Sequence, residues 1–247
     1  MNLLLVDQLQ SEYRFGEDDP RTEAILRLAG PEICLGVVRG PRGIGEFEKQ
    51  GDGSVVVGKV RWEAAVYESP AVDLVIGLPR PAEARRIIVQ AAAMGVRKIS
   101  LVVLDRTPSG YAQSRSLSAQ SIDRLLKEGL EQGFHTALPS VSMVEGIGEA
   151  LEQIDSSLPA SILDPYLGDC LLGEAGDGPD APGTLVLGSE RGFSPREQEI
   201  IRNSPVRRRH LGPSILRTET AVVAALGLAH RQSGFFSSAD RGVIRPE

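Results

Sequence analysis

The first 66 residues alternate short apolar runs with turns rich in glycine and proline. Apolar residues concentrate at 33–38 and 54–60. Short β-branched runs between turn residues predict a small barrel or another sheet-rich module. A helix of one or two turns is predicted at 21–28, and residues 67–72, which include a proline, are predicted to form a linker.

From Val72 onward the pattern changes to apolar strands alternating with amphipathic helices. Strands are predicted at 72–78, 99–104, 161–163 and 184–187. Helices are predicted at 82–94, around 122–130, at 147–154, after Ser194 and at about 219–231. This alternation predicts an α/β fold with a mainly parallel sheet, in which ligands bind beyond the carboxyl ends of the strands. A surface loop is predicted at 173–183 and a loosely held tail at 233–247.

The composition of the chain disfavours several classes of protein. The chain has 247 residues, 41% of them hydrophobic, and a net charge of −6, which disfavours a surface coated throughout by nucleic acid. Cys34 and Cys170 lie far apart without metal-ligand spacing, so we expect two buried thiols and no metal. The apolar opening at 3–6 is too short for a signal or membrane segment, and we expect a cytoplasmic protein without a membrane.

The loop that follows the strand at 184–187 is the first candidate for chemistry. It reads Gly-Ser-Glu-Arg-Gly-Phe from Gly188, and Ser194, Pro195 and Glu197 then mark a helix start with a capping box. Its glycines would allow backbone amides to approach a ligand closely. A plain tight turn explains the same residues, so this alternative stays open.

The second candidate is the loop 211–218, which precedes the helix predicted at 219–231. Ile215 and Leu216 are apolar residues inside a loop, which is unusual for a surface connection. Such a loop could form a wall for an adenine ring, while Arg217 and Glu219 present charge to another substrate. A buried loop with a helix cap is the alternative.

The segment 211–221, Leu-Gly-Pro-Ser-Ile-Leu-Arg-Thr-Glu-Thr-Ala, resembles the last motif of the family that methylates N3 of a uridine in 16S ribosomal RNA, within the SPOUT superfamily. Further blocks of the chain resemble this family in the same order: 1–5, 25–27, 78–81 with 85–86, 95–96 with 99, 111–114, 129–132, and 136 with 138–139. The resemblance therefore covers nearly the whole chain.

The resemblance implies a PUA-like RNA-binding barrel at 1–69, a SPOUT methyltransferase domain with helices on both faces of a knotted parallel sheet at 70–235, and a tail at 236–247. It also implies a homodimer and S-adenosylmethionine as the methyl donor. The residues implied to bind this cofactor are Leu187, Gly188, Glu190, Gly192, Leu211, Gly212, Ile215, Leu216 and Thr220.

Methylation at N3 of uracil requires loss of a proton, and a cation that stabilises the uracil anion would lower the barrier. We assign this role to Arg217, with Glu219 orienting it or accepting the proton, and the alternative for the pair is a salt bridge that caps the last helix. No metal is required, and His135 and His210 are interpreted as surface or packed histidines.

The expected partner is ribosomal RNA or the small ribosomal subunit. Contacts to its phosphates are assigned to five arginines: Arg27, Arg39, Arg80, Arg85 and Arg86. Such a target would be recognised by shape and by a splayed base.

Several positions depart from the family pattern, and the arginine that the family tends to have near 133–135 is absent. The first loop of the family reads Gly-Pro-Glu-Gly-Gly, so Arg191 replaces a glycine and would be strained if that position requires a positive φ. Ala82 and Ala93 replace a lysine and an acidic residue. Besides uridine-N3 methylation, two hypotheses therefore remain: methylation of another RNA or atom, and a non-catalytic RNA-binding protein of the same fold.

Overall fold

The computed structural model describes residues 3–66, 72–174 and 183–233. The predicted tail at 236–247, the linker except for Val72, and most of the loop at 173–183 lie outside the described residues. The chain divides into two compact units. Among the described residues, the first contains 3–66 and 130–138, and the second contains 72–129, 139–174 and 183–233.

The first unit is built on a five-stranded sheet. Its strands are β1 (Leu4–Val6), β2 (Tyr13–Phe15), β3 (Glu32–Val37), β4 (Pro41–Lys49) and β5 (Val55–Val66), and its helix is α1 (Pro20–Leu26). The strand order is β1-β3-β4-β5-β2, with every pair antiparallel except β1 and β3. Leu4, Ile25, Leu35 and Val57 are fully buried together, so α1 packs on the sheet to form the core.

The second unit contains seven strands and five α-helices. The strands are β6 (Asp73–Gly77), β7 (Lys98–Val103), β8 (Ser140–Glu145), β9 (Ala160–Leu163), β10 (Cys170–Leu171), β11 (Thr184–Leu187) and β12 (Arg207–His210). The helices are α2 (Pro81–Ala93), α3 (Ala119–Gly133), α4 (Ile147–Glu152), α5 (Pro195–Arg202) and α6 (Thr218–Gln232), with a 3₁₀ turn at Arg115–Leu117. The last four residues of α3, 130–133, are counted with the first unit.

The strand order in this sheet is β10-β12-β9-β11-β6-β7-β8, and every pairing is parallel. Val75 packs on one face against a cluster that includes Ile147 of α4 and Ile201 of α5. Leu74 and Ile76 point to the opposite face and are also fully buried. Helix α6 contacts β11 and pairs with α2, so helices cover both faces of a parallel sheet, as predicted.

The structure contains strands that the sequence-based expectation did not locate. Residues 41–45, a glycine- and proline-rich stretch between the apolar runs at 33–38 and 54–60, begin β4, where Gly43 fits because a Cβ would lie 2.8 Å from the Arg61 carbonyl oxygen. Strands β2, β8, β10 and β12 were not predicted. Strand β12 consists of three arginines and a histidine, so no apolar periodicity marks it.

The two cysteines occupy different environments. Cys34 is buried, as predicted, whereas Cys170 is only half-buried, so the prediction of two buried thiols is wrong for Cys170. Cys170 lies in β10, a two-residue strand at the edge of the sheet, where one flank has no neighbouring strand among the described residues.

Neither a membrane-spanning helix nor a metal-ligand cluster occurs within the described residues. No helix there is long and apolar enough to cross a membrane. No group of three or more His, Cys, Asp or Glu residues is placed to hold a metal ion.

Candidate functional site

A cavity of about 370 Å³ opens in the second unit at the carboxyl edge of the parallel sheet. Its walls are the loops that follow β9, β11 and β12, together with Arg106 from the loop after β7. The volume falls in the range of about 300–1,000 Å³ that is typical of small-molecule sites. Parallel strands bring these loops to one edge, although they are widely separated in sequence.

The two loops singled out from sequence both line this cavity. Every residue that the resemblance implied for cofactor binding lines it except Thr220. Thr220 is exposed on the first turn of α6, where Thr218 and Ala221 line the cavity instead. Gly188 and Ile215, 27 positions apart, therefore contribute to one site.

The loop after β11 is a closed turn. The amide of Gly192 donates a hydrogen bond of 2.9 Å to the carbonyl oxygen of Ser189. Gly192 has a φ of +63°, whereas Arg191 is absent from the positive-φ residues of the described chain. The strain considered for Arg191 does not occur, because the left-handed position of this loop falls on the glycine that follows it.

Gly77 and Gly188 allow this loop to lie against the sheet. A Cβ on Gly77, the last residue of β6, would lie 2.6 Å from the backbone nitrogen of Ser189. A Cβ on Gly188 would lie 3.2 Å from the ring of Phe193. Both glycines therefore serve close packing, Gly77 against backbone and Gly188 against the Phe193 ring, rather than an unusual φ.

The capping box predicted at Ser194 is present and extends to the neighbouring loop. The Glu197 carboxylate accepts from the amide of Ser194 at 2.7 Å and from the amide of Asp105 at 2.8 Å. The Ser194 hydroxyl donates to the Asp105 carboxylate at 2.6 Å. Glu197 is only 2% exposed, so a buried carboxylate joins the start of α5 to the loop after β7.

The loop after β12 is held by His210, which lines the cavity. Its Nδ1 accepts a hydrogen bond of 3.0 Å from the amide of Gly212, whose φ is +101°. In the neutral ring the proton is therefore on Nε2. Ile215 follows on the same loop with 64% of its surface exposed, so an apolar side chain is presented to solvent at the cavity.

The third loop was not identified from sequence. The amide of Asp164 donates to the carbonyl oxygen of Arg209 at 2.9 Å, and its carboxylate accepts from the amides of Tyr166 and Leu167 at 2.8 and 3.1 Å. The available signal was an Asp directly after a buried strand, which is where α/β sites form. Arg106 was also missed, and its guanidinium donates to the Arg191 carbonyl oxygen at 2.9 Å.

The two residues proposed for catalysis lie beside the cavity without lining it. Arg217 is the N-cap residue of α6 and is exposed, and Glu219 lies half-buried in the first turn of that helix. No ion pair or hydrogen bond joins them in the described chain. The residues on both sides of Arg217, Leu216 and Thr218, do line the cavity.

The arginines assigned to RNA are distributed over both units. In the first unit Arg27 pairs with Glu23, and Arg39 is exposed with a φ of +59°. In the second unit Arg80 approaches Glu190 at 3.7 Å with 65% of its side chain exposed. Arg85 and Arg86 are exposed on α2. An exposed pair of this kind contributes little to stability, so Arg80 is available to a ligand.

Comparison with known proteins identifies a family. The model of the RNA methyltransferase domain matches residues 67–230. Ribosomal RNA small subunit methyltransferase E of Treponema pallidum is 30% identical over 210 residues, covering 81% of this chain and 77% of its own length. Ribosomal RNA small subunit methyltransferase E 1 of Borreliella burgdorferi is 25% identical over 229 residues, covering 91% and 95%.

A solved structure shares the fold. It is a ribosomal RNA small subunit methyltransferase E from Neisseria gonorrhoeae bound to S-adenosyl methionine, with a TM-score of 0.73 and 19% identity. The similarity covers 94% of this chain and 97% of that one.

Proposed function

The chain belongs to the RNA methyltransferase family, and from this premise we propose that it transfers the methyl group of S-adenosylmethionine to N3 of a uridine in small-subunit ribosomal RNA. The proposal of small-subunit ribosomal RNA as the substrate rests on the relatives, which are named as methyltransferases of the small ribosomal subunit RNA. The choice of N3 rests on the motif at 211–221.

The observation that supports the proposal most is the shared cavity. Two loops selected from sequence as cofactor loops, 187–192 and 211–216, line one pocket of about 370 Å³. Had the loops lain apart, each would be an ordinary turn. Their meeting at the carboxyl edge of a parallel sheet is the arrangement expected for a ligand site.

The residues present suit S-adenosylmethionine. Leu187, Leu211 and Leu216 offer aliphatic walls to an adenine ring, and the tight turn at Gly188 and Gly192 exposes backbone groups for hydrogen bonds. The carboxylates of Asp164 and Glu190 line the same cavity and complement a cationic ligand. When bound, the sulfonium supplies an activated methyl group, so no metal is needed for this step.

The residues assigned to catalysis act on the uracil. Attack by N3 would form the N3–methyl bond while the methyl–sulfur bond of the bound sulfonium breaks to leave a neutral thioether. The step also requires that the N3 proton leave. The Arg217 guanidinium stabilises the developing anion, and the Glu219 carboxylate accepts the proton or passes it to solvent. Arg217 is free to do so because it is exposed and forms no ion pair within the described chain.

The remaining parts of the proposal follow from the resemblance. We infer that the first unit is a PUA-like barrel that binds RNA through Arg27 and Arg39, and that Arg80, Arg85 and Arg86 contact phosphates. A domain boundary near residue 70, a trefoil knot around the cavity, a homodimer and a cytoplasmic location belong to the same proposal.

The test is reverse transcription across small-subunit RNA from a deletion strain and from the same strain carrying the gene. Methylation at N3 blocks Watson–Crick pairing and arrests the polymerase, so one arrest site should disappear on deletion and return on complementation. An arrest that survives deletion would refute N3 methylation. Calorimetric titration with S-adenosylmethionine separates the remaining hypotheses, because absence of binding indicates a non-catalytic RNA-binding protein.

A further inference from the structure

An exposed aromatic side chain lies at the cavity. Tyr166 lines it with 79% of its surface exposed, the largest exposure among the large apolar and aromatic residues of the described chain. No hydrogen bond or ring contact of its side chain occurs within the described residues. Aromatic residues are only 4% of the sequence, and exposing one at the site leaves its apolar surface in water.

The backbone below Tyr166 is held firmly in place. The Asp164 carboxylate accepts from the amides of Tyr166 and Leu167, and the amide of Gly168 donates to the Asp164 carbonyl oxygen at 3.1 Å. A Cβ on Gly168 would lie 2.6 Å from the Arg209 carbonyl oxygen, so this loop packs tightly on β12. The exposed ring therefore projects from a loop whose backbone is fixed by hydrogen bonds and close packing.

The surroundings of Tyr166 suit nucleic acid. Ile215, 64% exposed, lines the same cavity from another loop, so an aromatic and an aliphatic side chain are both presented there. Arg106 and Arg191 also line it and are exposed, and no ion pair engages either guanidinium in the described chain. Aromatic platforms beside cationic groups are the arrangement that binds unpaired bases. The core of a protein interface, by contrast, is depleted of charge.

We propose that Tyr166 stacks on a base of the RNA substrate at the mouth of the cavity, with Ile215 contacting the other face of that base. Enzymes that modify a base act on single-stranded nucleic acid or extrude the base from its helix, and stacking between aromatic and apolar side chains compensates for the lost base stacking. This inference rests on the proposed function for the identity of the substrate. It adds a positioning residue that comes from outside the two cofactor loops.

The experiment compares Tyr166→Ala, Tyr166→Phe and the neighbouring Leu167→Ala, which changes a residue that is 40% exposed on the same loop. Small ribosomal subunits from the deletion strain serve as substrate, with labelled S-adenosylmethionine. Removal of one base-stacking contact corresponds to roughly a 5- to 150-fold loss in affinity. We expect KM for the subunit to rise by that factor in Tyr166→Ala, with the cofactor Kd unchanged, and both control variants to stay near wild type.

Filter binding to the same subunits and light scattering separate the outcomes. If the wild type transfers no methyl group but Tyr166→Ala still loses binding, the proposed function fails and the stacking role stands. If the wild type methylates and Tyr166→Ala is equally active with equal affinity, the stacking role is overturned and the function stands. If Tyr166→Ala changes the molar mass in solution, the ring contacts a second copy of the chain and the inference is overturned. A loss of cofactor affinity alone would also overturn it.

Discussion

The backbone nitrogen of Ser189 lies so close to Gly77 that a Cβ on Gly77 would approach it to 2.6 Å. Gly77 ends β6, and Ser189 belongs to the cavity loop that follows the neighbouring strand β11. The position of this loop therefore depends on the absence of a side chain on the adjacent strand. Replacement of Gly77 by a larger residue therefore tests how the cavity loop is held in place.

The substitution Gly77→Ala should displace the loop at 188–192. We expect the free energy of unfolding to fall by about 1–3 kcal/mol, as for overpacking, and the Kd for S-adenosylmethionine to rise. Chemical denaturation and calorimetric titration measure the two effects. The matched control is Gly148→Ala in α4, where a Cβ would meet nothing within 4 Å. An unchanged cofactor Kd in Gly77→Ala would show that the loop tolerates displacement.

The buried carboxylate of Glu197 should contribute strongly to stability. Glu197→Ala removes the acceptor for the amides of Ser194 and Asp105, and each amide left unsatisfied costs about 1–3 kcal/mol. Glu197→Gln keeps one carbonyl acceptor and should fall between wild type and Glu197→Ala. Glu199→Ala changes an exposed carboxylate of the same helix and should stay within about 0.5 kcal/mol of wild type. Equal free energies of unfolding for Glu197→Ala and Glu199→Ala would contradict a stabilising role of the Glu197 carboxylate.

Much of the second unit could be predicted because its signals are local. The apolar run at 184–187 was predicted as a strand and is β11 at the same bounds, since a strand covered on both faces needs no alternation. The helix start at Ser194 was equally clear, because capping chemistry is read from four consecutive residues. The joining of two loops in one cavity then followed from the parallel sheet.

The remaining site residues depend on strand order, which no local pattern encodes. Arg106 reaches the Arg191 carbonyl from 85 positions away, and Asp164 is held by β12, a strand without apolar residues. Tyr166 was not predicted as a site residue because a tyrosine in a loop is part of no periodic sequence pattern. Arg207–His210 forms a strand because its backbone pairs with β9. Which strand it pairs with is a property of the sheet topology and is not encoded by a local sequence pattern.

The two thiols should react at very different rates. Burial raises the pKa of the Cys34 thiol to about 11, so near pH 8 only about one molecule in a thousand carries the thiolate. Cys170 is half-buried at a sheet edge. Labelling of the native protein with a chromogenic disulfide should therefore show one fast thiol, and denaturant should release the second. Cys170→Ser should abolish the fast phase and Cys34→Ala should keep it. Fast labelling of Cys170→Ser would refute the burial of Cys34.

His230 should make stability depend on pH. It is fully buried in α6, and desolvation lowers its pKa below the ordinary value, against a smaller opposing effect of a backbone hydrogen bond with Met94. The unfolded chain then binds a proton that the folded chain excludes. The contribution of His230 to the free energy of unfolding is therefore fully present above about pH 6.5, the ordinary histidine pKa. It is lost as the pH falls below about 6.5 toward the lowered pKa of His230 in the folded state.

Urea unfolding of wild type and His230→Leu between about pH 5 and 7.5 measures this contribution. The difference in the free energy of unfolding between the two proteins should change across that window, with His230→Leu losing less stability on acidification. If the free energy of unfolding depended on pH in the same way in both proteins, His230 would exchange no proton on unfolding.

Arg217 should affect the chemical step rather than cofactor binding. It caps α6 beside the cavity and forms no ion pair among the described residues, so a purely structural salt bridge with Glu219 does not account for it. Loss of one group that stabilises a developing charge costs about 10²–10³ in rate. We expect a drop of that size in the single-turnover rate of Arg217→Ala, partial retention in Arg217→Lys, and an unchanged Kd for S-adenosylmethionine.

The pH dependence of that rate separates electrostatic stabilisation from folding. If Arg217 stabilises the uracil anion, the rate of Arg217→Ala should recover as pH rises, because hydroxide then removes the N3 proton without help from the enzyme. Arg231→Ala, which removes an exposed cation from the last turn of α6, should keep both the rate and its pH profile. A uniform loss of rate at every pH in Arg217→Ala, together with a weaker cofactor Kd, would instead assign Arg217 to the structure of the helix start.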